Sequence, residues 1–512
     1  MKKLSLALSL GLVALSAQSL AVTPEVTDTP VYGNQRGDLF EMKFSPDFQY
    51  RTVEAEVNGQ KIAFVAYENL VYVKKPLAPA YQSMKLYIPK AYFEGGEING
   101  FNAKTAPIFM PNSVGGYLPA KPAAYDDKGF GVQGDKPNAI LSALAKGYVV
   151  ASVGARGRTL QQDGQYIGKA PAAIVDLKAA VRYLHFNDKL MPGDANKIIS
   201  NGTSAGGALS ALLGAAGKSV DYADALREAG AVEASEQIFA VSAYCPIANL
   251  EHADSAYEWE FNGVNQYQRV DMSKLNAQSY NDRSTAMQMA TVKGNLSAAE
   301  IAVSDELKAT FPAYLNSLNL RDAQGNPLTL DSNGDGSFKD YLAAAVLRGA
   351  QKAQAAGVDL RNVAYLQWQD NQISGLNWQG YVHSAKRMKS PLAFDALDLS
   401  SGENNLFGDD TVNNRHFTSF SQQHSSLDGQ MADAKVIKMM NPMSYLAQSP
   451  TRYWRIRAGS MDRDTSHAIS AILAVKLGMA GKSVDYAIPW GVGHGGDYDL
   501  DELFQWTDAI TK

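Results

Sequence analysis

The sequence predicts an α/β fold: a mostly parallel sheet with helices on both faces, interrupted by a large, mainly helical insertion. Three observations carry that expectation. Between about residues 106 and 247, short continuous apolar runs alternate with segments of helical periodicity. Strands that are apolar throughout belong to sheets buried on both faces, and strand–helix alternation makes such sheets parallel. From about Ala248 to Met440 the alternation stops, and the chain becomes polar, dotted with aromatics and rich in helix signals; at Tyr453 the alternation resumes.

The elements follow in order. Gln49–Val57 and Gln60–Tyr67 are β-rich runs flanking Asn58-Gly59, the strongest short-range hairpin signal. Tyr81–Ile88 and Ala106–Met110 read as further strands, Pro137–Lys146 as a helix and Tyr148–Val153 as a buried strand. Pro171 suits a first helical position, followed by Ile174, Leu177, Val181 and Leu184 at helical spacing. Lys197–Ser200 is a short strand, Ala208–Ala216 a helix and Ile238–Cys245 a strand. Within the insertion, Ser297-Ala298-Ala299-Glu300 is a capping box, and Asp340–Ala356 is rich in helix formers. Tyr453–Arg457 (strand), Ala468–Leu477 (helix), Ser483–Trp490 (strand) and Leu500–Ile510 (helix) complete the chain. The expected division is 1–21 as a signal peptide, 22–247 and 441–512 as two parts of one α/β domain, and 248–440 as the insertion.

The signal peptide rests on Lys2 and Lys3, the apolar run Leu4–Ala17, and the small-x-small triplet Ser19-Leu20-Ala21. The run is too short to span a bilayer, and no other run of about 18 apolar residues exists. The mature protein is therefore expected to be soluble and exported, to the periplasm or beyond the cell. Over the whole chain, 46% hydrophobic residues suffice for a large core. A net charge of −5, with no stretch concentrating Lys and Arg, excludes an electrostatic case for nucleic acid or anionic membrane as partners. The single cysteine, Cys245, excludes an intrachain disulfide and a cysteine-based zinc site. In its apolar run it is expected to pack in the core.

Gly202-Thr203-Ser204-Ala205-Gly206-Gly207 fits the G-x-S-x-G elbow. A strand before it and a small-residue helix after it supply the setting that lifts the Ser204 hydroxyl clear of the sheet. A serine needs a base. Of seven histidines, His494 stands just beyond the last strand in Gly491-Val492-Gly493-His494-Gly495-Gly496. His416 and His424 fall in the insertion, and His467 starts a helix. The acid should follow the preceding strand, where Asp462 and Asp464 share one loop and spacing alone does not choose between them. Ala205 can supply one oxyanion-hole amide, and Gly115 or Gly116, in the loop after Ala106–Met110, the other. Asp331-Ser332-Asn333-Gly334-Asp335-Gly336 has the first half of a calcium-loop pattern, but position twelve is Leu342. An Asx/Gly-rich turn is the favoured reading, and no metal or cofactor is expected.

These residues resemble a family. Ile199–Gly207, the preceding Asp176–Tyr183, Tyr244–Leu250 with His252-Ala253-Asp254, Asn441-Pro442-Met443-Ser444 and Asp462-Arg463-Asp464-Thr465 are similar to the bacterial tannases. The resemblance runs from about Ala106 to the C-terminus. It implies an α/β-hydrolase fold with the insertion as lid, and Ser204, Asp462 and His494 as catalytic triad. It further implies that Lys389, Glu403 and Asp464 hydrogen-bond the hydroxyls of a galloyl group. The expected activity is hydrolysis of galloyl esters, a small-molecule aromatic ester substrate, through an acyl-enzyme. A feruloyl or other aromatic-acid esterase is the near alternative, with an α/β-hydrolase peptidase and an inactive binding scaffold further off. The loop carrying His494 departs from the family's pattern, and the first 100 residues are not diagnostic.

Overall fold

The Asn58-Gly59 pair turns the chain as its sequence predicts. Both residues take positive φ, 49° and 81°, and Val57 pairs with Gln60 across them. That backbone favours asparagine and glycine because neither is strongly penalised in the left-handed region. The hairpin opens one edge of a nine-stranded sheet. The structure, a computed structural model, describes residues 31–127, 138–271, 275–282, 289–425 and 427–512. The expected signal peptide and the start of the helix at Pro137 lie outside the described residues.

The strands are β1 (Tyr50–Val57), β2 (Gln60–Val71), β3 (Ser83–Pro89), β4 (Pro107–Pro111), β5 (Val149–Val153), β6 (Asp194–Thr203), β7 (Ala240–Tyr244), β8 (Tyr453–Arg457) and β9 (Ser483–Ala487). They lie in the order β9-β8-β7-β6-β4-β5-β3-β2-β1. The pairs from β5 through β4, β6, β7 and β8 to β9 are parallel, whereas β1, β2, β3 and β5 pair antiparallel. Every residue of β5 and β7 is buried, as a sheet covered on both faces demands.

The principal helices are α1 (Ala139–Ala145), α2 (Ala172–Phe186) and α3 (Ala205–Ala215) in the first part of the domain. The insertion holds α4 (Ala253–Phe261), α5 (Ala298–Ser317), α6 (Ser337–Ala355), α7 (Trp378–Ala385) and α8 (Gly402–Leu406). After it come α9 (His467–Met479) and α10 (Leu500–Thr511). Pro171 precedes α2 as its cap instead of opening it. The Ser297/Glu300 capping box is formed at the start of α5. Phe504 of α10 packs on Phe109 of β4, its ring centroid 5.3 Å away, and α2 packs against α3.

The insertion is mainly helical but also contains two antiparallel strand pairs that the sequence did not suggest, Gln266–Val270 with Thr291–Asn295 and Leu366–Gln369 with Gln372–Leu376. The first is polar and largely exposed, so no apolar alternation marks it. The second turns at Asp370-Asn371, with φ 48° and 63°, a less familiar pair for the same left-handed turn. Among the described residues no helix is long and apolar enough to cross a membrane.

Candidate active site

Five parallel strands, β4 and β6 to β9, end on one edge of the sheet, and every loop of interest leaves from those ends. This is the edge on which open α/β sheets hold their ligands. Ser204 sits between β6 and α3 with φ 61° and ψ −123°, a strained conformation costing on the order of 1–3 kcal/mol. Its amide donates to the Tyr244 carbonyl at 3.0 Å, and its own carbonyl accepts from the Ile247 amide at 3.2 Å. Close approach makes the flanking glycines obligatory. A Cβ on Gly202 would lie 2.3 Å from the Gly206 carbonyl oxygen, and one on Gly207 2.5 Å from that of Tyr244.

The loop after β4 is fastened to this elbow by Asn112. Its Nδ2 donates to the Asn201 and Gly206 carbonyls at 3.3 and 3.2 Å and to Ser210 Oγ at 3.1 Å. Ala205 opens α3, so its amide is one of the four at a helix start with no intrahelical acceptor. The next amide, of Gly206, is already spent on the Val114 carbonyl at 2.9 Å. Gly116 has φ 52°, and its carbonyl accepts from Arg158 Nε at 2.7 Å. Gly115 lies under Tyr280, whose hydroxyl donates to the Ser113 carbonyl; a Cβ on Gly115 would meet that hydroxyl at 2.4 Å.

Beyond β8 the chain forms the irregular loop that two aspartates with different partners require. His494 Nδ1 faces both carboxylate oxygens of Asp462, each at 3.1 Å. Asp464, two residues on, faces the insertion, and Lys389 Nζ reaches its Oδ1 at 3.0 Å. Asp462 Oδ1 also accepts from the Asp464 amide at 2.9 Å, which fixes the turn between them. The loops from β8 and β9 are stitched together. The Met461 amide donates to the Val492 carbonyl and the Ser460 amide to that of Pro489, both at 2.8 Å. Gly496 of the histidine loop lies so close to the elbow that a Cβ there would be 1.9 Å from Thr203 Oγ1.

The His494 side chain is 25% exposed and that of Asp462 3%. Burial works against charging the ring, but the Asp462 carboxylate, with Cys245 and Asp464 behind it, outweighs burial and holds the histidine well above its ordinary 6.5. For Asp464 burial likewise opposes charge, and Lys389 and His494 more than compensate, so its carboxyl stays below the usual range. Glu403, in α8, is raised by burial, with Lys389 and Arg158 pulling it back. Lys389, Asp464 and Glu403 thus form one electrostatic cluster, one turn away from the Asp462–His494 pair.

Several residues that hold this arrangement escaped the sequence reading. Tyr257 of α4 donates to the Arg463 carbonyl at 2.8 Å and accepts from the amides of Met388 and Lys389 at 3.1 Å, so one buried phenol aligns the two segments of the cluster. Arg158 spans from the Gly116 carbonyl to Asn405 Oδ1 at 3.1 Å, beside Glu403. His467, set aside as a helix start, is fully buried, with Nδ1 2.7 Å from Glu260 and Nε2 2.8 Å from the Gly459 carbonyl. Glu260 overcomes the effect of burial and raises His467 to about 9. All three link positions remote in sequence, and no local pattern announces them. Cys245 is buried as expected, just after β7, and its Sγ also lies 3.3 Å from the Gly495 carbonyl, beside the histidine loop.

The Asp331–Gly336 segment is an Asx turn. Asp331 Oδ1 accepts from the Asn333 and Asp335 amides at 2.8 and 3.0 Å, and Asp335 pairs with Lys339 at 2.5 Å. Its carboxylates are engaged by the turn itself and by a lysine.

Residues 127–295 match the BD-FAE family model. The structure is similar to that of a tannase from Fusobacterium nucleatum at 55% identity, with a TM-score of 0.87, covering 92% of this chain and 100% of that one. It is also similar to a tannase from Lactobacillus plantarum at 44% identity and a TM-score of 0.87, covering 92% and 100% of the two chains. A third structure, a tannin acyl hydrolase in complex with ethyl gallate, matches at 44% identity and a TM-score of 0.83 over 92% and 99%. Among curated proteins none matches this chain.

Proposed function

The chain belongs to the bacterial tannase family and is a carboxylic ester hydrolase, and from that premise we propose that it hydrolyses galloyl esters through an acyl-enzyme formed on Ser204. The observation that carries this reading is the cluster of Lys389, Asp464 and Glu403 beside the Asp462–His494 pair. An ammonium and two carboxylates in a partly dry site offer both a donor and acceptors to adjacent phenolic hydroxyls. An aromatic acyl group lacking those hydroxyls would leave the cluster unpaired at a cost. The relative crystallised with ethyl gallate supports the same substrate class.

In this reading Ser204 Oγ attacks the ester carbonyl carbon while His494 takes its proton. Asp462, bound to Nδ1–H, fixes the tautomer and stabilises the imidazolium. The Ala205 amide, with that of Gly115 or Gly116, receives the oxyanion of the tetrahedral intermediate. His494 returns the proton to the departing alcohol, and water repeats the sequence to release the aromatic acid. Residues 248–440 act as a lid that supplies Lys389 and Glu403, and export follows from the signal peptide, with cleavage after Ala21.

The BD-FAE match favours a second reading, a feruloyl ester as substrate. One comparison separates the two: kcat/KM for methyl gallate against methyl ferulate and methyl benzoate. The galloyl reading expects gallate to lead by several orders of magnitude. Equal rates, or a lead for ferulate, overturn it.

A further inference from the structure

The proposed hydrolysis forms no bond to Cys245, yet its thiol sits beside the Asp462–His494 pair. Cys245, Asp462 and His494 each present one ligand atom, and these three atoms lie within 4.8 Å of one another. Sulfur, nitrogen and oxygen together form a donor set suited to Zn²⁺ and its softer congener Cd²⁺, and three protein ligands with one open position is a familiar geometry for such ions. With metal–ligand bonds of about 2.0–2.3 Å, tetrahedral ligand atoms stand roughly 3.2–3.8 Å apart. The Asp462 oxygens and His494 Nδ1, at 3.1 Å, stand just short of that spacing. The remaining closure is about an ångström, and the histidine loop has room to provide it: a Cβ on Gly495 would meet nothing within 4 Å, and one on Gly493 only the Met461 carbonyl at 4.0 Å. A side chain 25% exposed at His494 gives an ion a way in.

We propose that Cys245, His494 and Asp462 form a binding site for a thiophilic divalent cation that switches the hydrolase off. Binding releases the thiol proton to solvent and moves the single ring proton of the neutral imidazole from Nδ1 to Nε2, with no change of oxidation state. The ion then stands where the Nδ1 proton stood, and an imidazole already bearing a dication does not take the proton of Ser204. The inhibition falls on kcat and leaves KM unchanged, because the acyl pocket stays open. The proposal rests on the assignment of Asp462 and His494 as acid and base.

Because Cys245 is the only cysteine, cadmium reports on it without ambiguity. One equivalent of Cd²⁺ added to the intact protein is expected to produce the ultraviolet thiolate-to-cadmium charge-transfer band, with matching loss of methyl gallate hydrolysis, both reversed by a chelator. Zn²⁺ should inhibit with the same split between kcat and KM. In Cys245→Ser, with rates referred to the metal-free variant, the band disappears. The inhibitory concentration there rises by more than the roughly 10–100-fold that losing an outer-shell partner costs a metal site. Absence of the band in the wild-type protein, inhibition competitive with the ester, or equal inhibition of a folded Cys245→Ser overturns the proposal. Should that variant fail to fold, the wild-type band and its stoichiometry decide alone. Fluorophosphonate labelling of the metal-free protein reads the hydrolytic assignment separately. Labelling that cadmium blocks supports the switch, and labelling unchanged while the band is present refutes it. No labelling at all faults the triad, and the cadmium band then decides the metal site.

Discussion

The sheet edge and the insertion contribute to one site by different means. At the sheet edge, backbone packs on backbone: Gly202, Gly207 and Gly496 leave no room for a Cβ, and main-chain bonds stitch the loops carrying Asp462 and His494 to each other. In the insertion, the segments bearing Lys389 and Glu403 are held by side chains. Tyr257 aligns Lys389, and the Asp254 carboxylate accepts the amides of Phe394 and Asp395 at 2.9 Å. Asp395 in turn takes Asn404 Nδ2 at 2.7 Å, beside Glu403. The difference separates a rigid frame from an adjustable one. A backbone frame tolerates little change, whereas a side-chain frame can be altered one contact at a time, which matches the proposed division of reaction on the first and recognition on the second.

The largest expected effect tests the sheet edge. Ser204→Ala should lower kcat by about 10⁶, as loss of the nucleophile does in a serine hydrolase, while circular dichroism shows the fold retained. A folded variant that still takes up fluorophosphonate breaks the assignment. Asp462→Asn should cost about 10⁴ through the wrong histidine tautomer, and it should slow methyl gallate and methyl benzoate alike, since the change lies on the reacting side of the divide.

The buried His467–Glu260 pair sets the next effect, on stability. Its folded pKa of about 9 stands above the 6.5 of an unfolded histidine. The stabilisation is therefore complete below pH 6.5 and is lost as pH rises through 9. That window corresponds to on the order of 3 kcal/mol. Thermal unfolding of the wild type should weaken across it, and Glu260→Gln should flatten the dependence. An equal slope in the variant removes this pair from the account.

The smallest effects test the insertion. Lys389→Ala, Glu403→Ala and Asp464→Asn should each shrink the gallate-to-benzoate ratio of kcat/KM by about 10–100-fold, the worth of one charged hydrogen bond, mainly through loss of gallate activity. If Asp464→Asn slows both esters equally and Asp462→Asn changes only the ratio, the two aspartates exchange roles. If none of the three alters the ratio, the comparison between the two regions collapses.

Most of the sheet edge was legible because its signals are local. Asn58-Gly59, the continuous apolar strands and the elbow glycines each act over a few residues, and β8 was read to its exact bounds, Tyr453–Arg457. The choice between Asp462 and Asp464 came from the family resemblance and not from spacing, because two aspartates in one loop are equivalent until their partners are placed. Those partners, His494 and Lys389, lie 32 and 75 residues from them. Glu260 and His467 are 207 residues apart, and Arg158 and Asn405 247, so neither pair leaves a local trace. Strand order was equally hidden: β3 pairs with β5 and not with its sequence neighbour β4, a matter of tertiary packing.

Where the insertion interrupts the sheet has a consequence for how the molecule comes into being. Strands β8 and β9, which deliver Asp462 and His494, leave the ribosome only after the whole insertion, and the elbow must wait for them. Asn201, three residues before Ser204, closes its bond to Asp497 across 296 residues. A growing chain thus carries Ser204 long before it carries His494. The candidate site comes together only once the segment bearing His494 has followed the whole insertion.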